Sequence, residues 1–529
     1  MLAMVATTID FKFGCVLFLI WFLSTLLVRS LIKKHEKSKE IVQHPPSPPA
    51  LPIIGHLHLL GSGLPKSFQT LASRFGPLMR IQIGASTSFV VSNATVAKEV
   101  FKTHDLSFAC RPEFGSSEYS IYKASSSFFN AEYGTYWRFM KKICMTKLLS
   151  APQLNRFADI RKQEMTKFLE TLVKCSKDAE ACNLGAEIMT MTNNTICRMA
   201  MSTRCSGNDN QSKMIWEFVQ GLQQLVPKII VGEMLGPLKR FDLLGSGRRL
   251  RALLMQYDTL IEEIIMEHEK ERKVIGGERR KKDMMDIILE ISEDESAEIK
   301  ITRNDIKAFF LDIFLGGTET TSTVMQWALA ELINHPEVFK KLREEINTVV
   351  GSTRLVQELD VPNLPYLQAV VKESLRLHPT VPLIPRKCRK DCKINDYDIL
   401  ANSRLIINVY AIMRDPNLWE DPLEFVPERF LVSSIEKHGD HENQERMKDQ
   451  NFKYLPFGGG RRGCPGATLA YTILHVMIAM LVQCFDWKFR SGEKVDMEEG
   501  SGFSCGMAHP LVCCPITRVN PLEVAVFTN

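Results

Sequence analysis

The sequence predicts a mainly α-helical domain with a small β region, preceded by a single N-terminal transmembrane helix. Three observations carry that reading. Residues 13–32 are nearly continuously apolar, period-two alternation is confined to residues 60–110, and helical periodicity dominates residues 130–375. An apolar fraction of 45% excludes disorder.

The first element is the apolar run. At roughly 1.5 Å per residue it matches a hydrocarbon core of about 30 Å. Arg29 lies near its end, where a long stem can snorkel, and Lys33, Lys34, Lys37 and Lys39 follow. That basic flank belongs in the cytosol, which places residues 1–12 in the lumen and makes residues 13–32 an anchor. The run is long for a cleaved signal peptide, and no small-residue cleavage site precedes the lysines. Residues 33–52 are the basic flank and a hinge, Pro45-Pro46-Ser47-Pro48-Pro49, which reads as a stiff spacer.

Residues 53–529 then form one domain, without internal repeats. Strands are expected over Leu78 to Ile83 and Ser88 to Ser92 as a small antiparallel sheet, with Gly84 at a turn. Charged breaks at 276–283 and 292–298 separate helices. The clearest element is one buried helix over residues 303–334, roughly 45 Å long by its rise. Thr302 and Asp305 form its capping box, and His335-Pro336 stops it. Another helix is expected from Ala467 to Cys484, and a strand around Cys513-Cys514.

With 66 basic and 61 acidic residues spread along the chain, a net charge of +5 excludes the concentrated basic surface of a nucleic-acid binder. Fourteen cysteines at irregular spacings give neither a disulfide framework nor a zinc pattern, so they are reduced and mostly in the core.

Two segments carry chemistry. Within the long helix, Gly316-Gly317-Thr318-Glu319-Thr320-Thr321 is poor helix-forming sequence. Two readings stand: glycines that admit something flat beside an acid–hydroxyl proton relay, or a glycine kink with a threonine bonding to a carbonyl one turn back. Downstream, Phe457-Gly458-Gly459-Gly460-Arg461-Arg462-Gly463-Cys464-Pro465-Gly466 precedes a helix. Free backbone N–H groups and two arginines there are expected to depress the Cys464 pKa. A thiolate ligates haem iron, glycines let a macrocycle lie close, and an arginine reaches a propionate. A nucleophilic or redox cysteine is the alternative.

This loop resembles the cytochrome P450 signature Phe-x-x-Gly-x-Arg-x-Cys-x-Gly at every defined position. Gly316 to Thr321 is similar to the family's oxygen-activation motif, Glu373-Ser374-Leu375-Arg376 to its Glu-x-x-Arg pair, and Pro427-Glu428-Arg429-Phe430 to its Pro-Glu-Arg-Phe segment. The resemblance covers about residues 45–520. Anchor, hinge and Trp137-Arg138-x-x-Lys141-Lys142 look like plant microsomal members of the flavonoid- and triterpenoid-oxidising group.

The resemblance implies the cytochrome P450 fold, haem b as cofactor, O2 as co-substrate, and NADPH electrons delivered through a cytochrome P450 reductase. Carried over, Cys464 is the axial ligand of the iron, and Glu319 and Thr320 are catalytic, gating protons to the distal oxygen. Trp137, Lys141, Arg386, Phe457, Arg462 and Gly466 contact the haem, Lys141 standing where arginine is commoner. Glu373, Arg376 and Arg429 are structural. Asp312, Leu315, Gly316, Thr380, Val381, Ile384 and Met507 line the substrate pocket, Asp312 as an anchor for a polar group or as a water-bonded acid.

The implied activity is monooxygenation of a small lipophilic plant metabolite, a triterpenoid or other terpenoid, with a flavonoid or isoflavonoid as the alternative. Members that rearrange peroxides without a reductase, and a haem carrier or membrane scaffold without activity, are the other readings. The implied location is the endoplasmic reticulum membrane, single-pass, with the domain in the cytosol and the sequons at Asn93, Asn193 and Asn210 bare. Lys141, Lys142, Lys453 and Arg461 are either a reductase-docking surface or scattered solvated cations.

Overall fold

A computed structural model describes Ser24 and residues 43–529, apart from residues 53, 62, 85, 113–118, 275–281, 432–451, 490–493, 501–504 and 527–529 and many between 207 and 244. The expected anchor and its basic flank lie outside the described residues. Helices dominate. In chain order the ones used below are α1 (Leu64–Phe75), α2 (Thr135–Ile143), α3 (Ala158–Lys177), α4 (Leu184–Met201), α5 (Ser246–Val274), α6 (Met284–Glu293), α7 (Arg303–Gly317), α8 (Glu319–Asn334), α9 (Pro336–Val349), α10 (Pro365–Leu377) and α11 (Ala467–Cys484).

The sheet region is larger than alternation suggests. Strands β1 (Leu78–Ile83) and β2 (Ser86–Val91) form the expected antiparallel hairpin. Two distant strands, β4 (Leu383–Lys387) and β7 (Arg404–Asn408), complete a four-stranded sheet in the order β1-β2-β7-β4, with β7 parallel to β2. Their sequences are too short for alternation to announce them. A hairpin of β5 (Cys392–Ile394) and β6 (Tyr397–Ile399) lies between. Near the C-terminus β9 (Val512–Thr517) pairs with β8 (Phe485–Lys488) and with β3 (Cys182–Asn183).

The proline segment is seated on the domain rather than standing off it. Arg80 N donates to Pro46 O at 2.8 Å, His56 reaches Pro48 O through its ring at 2.8 Å, and Gln43 exchanges bonds with Asp398. Backbone that cannot continue a helix still offers carbonyl acceptors, and β1 uses them.

The helix expected over residues 303–334 is two helices, α7 and α8, with a break at Thr318 (φ −93°, ψ −70°). Its capping box is present: Asp305 N donates to Thr302 Oγ1, and Thr302 N to Asp305 Oδ2. Two glycines weaken the helix where threonine hydroxyls compete for its carbonyls, so the ladder fails there. Beyond the break α8 packs on α4, α10 and α11. Among the described residues α11 is long and apolar enough to cross a membrane, yet it is a buried core helix.

Candidate active site

At the α7–α8 junction Thr318 Oγ1 donates to Phe314 O and Thr320 Oγ1 to Gly316 O, each at 2.8 Å. The back-bonded threonine is therefore present. It leaves the Thr320 oxygen lone pairs to accept from a bound group. A Cβ on Gly316 would meet nothing within 4 Å, whereas one on Gly317 would lie 3.1 Å from Ile196 Cδ1. Gly316 thus opens a groove and Gly317 permits helix packing. Beside them Leu315 is 43% exposed while Phe314 is buried, so this face of α7 is left uncovered by the protein's own packing. Glu319 is half-buried.

The glycine-rich turn is built from Gly458 and Gly460, both in the left-handed region at φ +70° and +67°. A Cβ on Gly460 would lie 2.4 Å from Asp105 Oδ1, so only glycine fits. Cys464 N donates to Phe457 O and Gly463 N to Gly460 O, each at 3.0 Å. Phe457 packs edge-on to Tyr471 at 5.1 Å, and Gly466 precedes α11 close to the Cys464 sulfur. Cys464 keeps an exposed flank.

The expected depression of the Cys464 pKa is not what the structure shows. Burial raises it, and the N–H groups of Gly466 and Ala467 together with Lys141 and Arg111 only partly offset that. A coordinating cation removes the proton outright, so the thiolate belongs to the metal-bound state. Lys141 is also placed differently from the expectation: its ammonium donates to Gly463 O at 2.9 Å, bracing the cysteine turn.

Around the turn lies a concentration of buried positive charge. Arg386 and Arg462 are 2% and 6% exposed. The Arg462 fork is anchored on Ala109 O at 2.7 Å and on the carbonyls of Phe128, Phe129 and Ala131, and its plane covers the Trp137 ring at 4.4 Å. Arg111, which the sequence reading missed, joins them and stacks on Phe129 at 3.6 Å. Burial and mutual repulsion push Arg386 down to about 9 and hold Arg111 well below its usual range, and burial pushes Arg462 down to about 10. The buried Nε atoms of Trp137 and Arg111 have no partner within the protein. An arginine in the apolar stretch Phe108-Ala109-Cys110-Arg111-Pro112 was the available signal.

Asp312 also departs from its expected part. Its carboxylate accepts from Ser127 Oγ at 3.0 and 3.1 Å and from Phe129 N at 3.1 Å. Burial raises it to about 6 against these bonds and Arg111. It ties α7 to the 124–130 loop. Of the other pocket candidates, Thr380 O accepts from Cys505 N at 3.2 Å and Ile384 of β4 sits against Gly458, while Met507 bridges to Glu499.

Behind the turn, Glu373 and Arg376 on α10 are fully buried and paired through two bonds of 2.7 and 2.8 Å. Arg429 Nε donates to Glu373 at 3.0 Å, and Arg376 also donates to the carbonyls of Met413, Pro422 and Glu424. Every donor and acceptor of the pair is used, which is the condition for tolerating buried charge.

A mainly helical domain with a glycine-built cysteine turn among buried cations and a core helix broken at a glycine–threonine segment is the architecture of a haem-thiolate protein. Residues 45–513 match the model of the family described as cytochrome P450, and the chain belongs to that family. It is 42% identical over 509 residues to 3,9-dihydroxypterocarpan 6A-monooxygenase of Glycine max, covering 95% of this chain and 98% of that protein. It is 41% identical over 518 residues to beta-amyrin 24-hydroxylase of Glycine max, covering 97% and 99%. With cytochrome P450 705A5 of Arabidopsis thaliana it shares 43% identity, covering 97% and 98%. A zebrafish cytochrome P450 structure with progesterone superposes with a TM-score of 0.73 at 24% identity, covering 86% of this chain and 99% of that one, which shows the fold.

The protein is a cytochrome P450 monooxygenase, and its cofactor is haem b, with O2 and NADPH-derived electrons. The residues present fit that group. Three guanidiniums with too little negative charge around them, plus two orphaned N–H donors, call for a dianion, and the two haem carboxylates supply one.

Proposed function

We propose that this enzyme inserts one atom of O2 into a polycyclic lipophilic plant metabolite, a triterpenoid first, at the cleft between Gly316 and Cys464. The observation that carries the lipophilic reading is the bonding of Asp312: its carboxylate is committed to Ser127 and Phe129 rather than free to anchor a polar group, and the other expected pocket side chains, Leu315, Val381, Ile384 and Met507, are apolar. Both beta-amyrin and a pterocarpan are named by relatives of equal similarity. The pterocarpan relative supports the second reading, an isoflavonoid.

Bound haem supplies oxygen activation, and its sulfur ligand favours cleavage of the O–O bond. Cys464 would provide that sulfur, Arg386, Arg111 and Trp137 would hold the carboxylates with the charge of the carbonyl-anchored Arg462 behind them, and Lys141 braces the turn. Thr320 accepts a proton-bearing water in the groove left by Gly316, and Glu319 passes protons to it. Electrons come through an NADPH-dependent flavoprotein reductase. Lys142 is exposed on α2 near the Cys464 turn and belongs to its docking face, whereas Lys453 lies over Trp419 and Arg461 is paired with Asp105. A single N-terminal helix anchors the domain on the cytosolic side of the endoplasmic reticulum. Asn193 is fully buried and the Asn93 side chain caps a helix; endoglycosidase treatment is expected to leave gel mobility unchanged.

The test is a panel titration of the holoenzyme with beta-amyrin, related triterpenoids and 3,9-dihydroxypterocarpan, read by the haem spin shift and by NADPH- and reductase-dependent product. A triterpenoid giving both signals supports the reading; signals from the pterocarpan alone replace it with the isoflavonoid one. Thr320→Ala is expected to lower product per NADPH several-fold and to raise released peroxide; unchanged coupling removes Thr320 from the proton path.

A further inference from the structure

Strand β4 ends at Lys387, and the chain turns through Cys388-Arg389-Lys390-Asp391 into β5 at Cys392. Cys388 is completely buried, Cys392 is partly exposed, and their sulfurs are 3.9 Å apart. Both face Ile399, which pairs with Cys392 across the hairpin and has its carbonyl oxygen 3.9 Å from Cys388 Sγ. Cys388 Sγ is also 2.9 Å from Lys390 O. A disulfide needs about 2.05 Å between sulfurs, so closure asks for a movement of about 1.9 Å with only three residues between the partners. The β4 side is pinned, since Cys388 N donates to Ser403 O and Asn402 N to Cys388 O, so closure falls to the Cys392 side chain and the turn at 389–391.

The two thiols are unequal. The contact between the sulfurs and the neighbouring Lys390 lower the Cys392 pKa, whereas the same contact and burial raise Cys388. An accessible, lowered thiol beside a buried one is the arrangement of attacking and resolving cysteines.

We propose that Cys388 and Cys392 are a peroxide-reactive dithiol that closes to an intrachain disulfide. The Cys392 sulfur attacks one oxygen of hydrogen peroxide, the O–O bond breaks, and a sulfenic acid and one water result. The Cys388 sulfur then attacks the Cys392 sulfur, the S–O bond breaks, and a second water leaves with the Cys388 proton. Two thiols lose two electrons and two protons, and peroxide becomes two waters. A cellular dithiol or glutathione reverses the step by exchange, so the open form prevails in a reducing compartment.

The position gives the modification a bearing on the active site. Lys387 N donates to Cys110 O and Arg389 N to Ser107 O, each at 2.8 Å, so the segment leading into the dithiol holds the backbone before Arg111 and carries Arg386 two residues upstream. Two of the buried cations hang on it.

The experiment treats the purified full-length holoenzyme with near-stoichiometric hydrogen peroxide, without reductase, then blocks thiols and maps tryptic peptides by mass. The expected result is Cys388-Arg389 linked to Asp391-Cys392-Lys393, absent before treatment and lost on reduction. In Cys388→Ser the Cys392 sulfur is expected to accumulate as a sulfenic acid trapped by dimedone, at several times the wild-type level. Separate alkylation of both cysteines after treatment, or dimedone labelling of Cys392 that is the same with and without Cys388, overturns the proposal.

Discussion

Asp312 is the residue whose chemistry the tertiary structure changes most. An acid on a core helix beside a ligand cleft suggests a substrate anchor, but here the carboxylate closes a loop over the cleft through Ser127 and the Phe129 amide. Burial lifts its folded pKa to about 6, above an ordinary carboxylate near 4. The native state therefore holds this proton more tightly than the unfolded chain, and the stabilisation is complete below about pH 4 and is lost as pH rises through about 6. Thermal melts of wild type and Asp312→Asn are expected to show the wild type losing stability relative to the variant between about pH 4 and 6, with a constant difference above about 7. A difference that is flat across the whole range shows that the carboxyl is not held protonated. Cys464 teaches the companion lesson, because neighbouring N–H groups and cations favour a thiolate while burial opposes it.

At the scale of elements, the break between α7 and α8 divides labour between adjacent glycines. Space beside Gly316 is open, whereas Gly317 faces Ile196 of α4. Gly316→Ala is expected to fold as well as wild type or up to about 1 kcal/mol better, from helix propensity. Gly317→Val is expected to cost about 1–3 kcal/mol by overpacking. Denaturant midpoints of the two variants check this, and equal costs sink the assignment. A second element-scale device, the α10 pair Glu373–Arg376 with Arg429, spans two chain segments and uses every polar atom it buries.

Across the whole molecule, the described residues ahead of β1 hold the domain through Gln43, on Asp398, and through Pro46 and Pro48. Removal of residues 1–32 keeps these contacts while deleting the apolar run. Such a truncation is expected to move at least half of the protein from the membrane pellet to the supernatant and to keep the carbon monoxide band near 450 nm. Full retention in the pellet places the membrane attachment on the domain itself.

Motifs and periodicity alone were enough for the helical class, the capping box at Thr302, the helix over Ala467–Cys484, and the cysteine turn, because each is written in neighbours a few residues apart. The glycine kink was one of two readings of residues 316–321, whereas the two strands that complete the sheet, the bonding of Asp312 and Lys141, and the membership of Arg111 in the cation ring were decided by the tertiary structure. Each depends on groups tens to hundreds of residues away, and on burial, which sets the cost of a charge and is a property of the packed chain rather than of any segment of it.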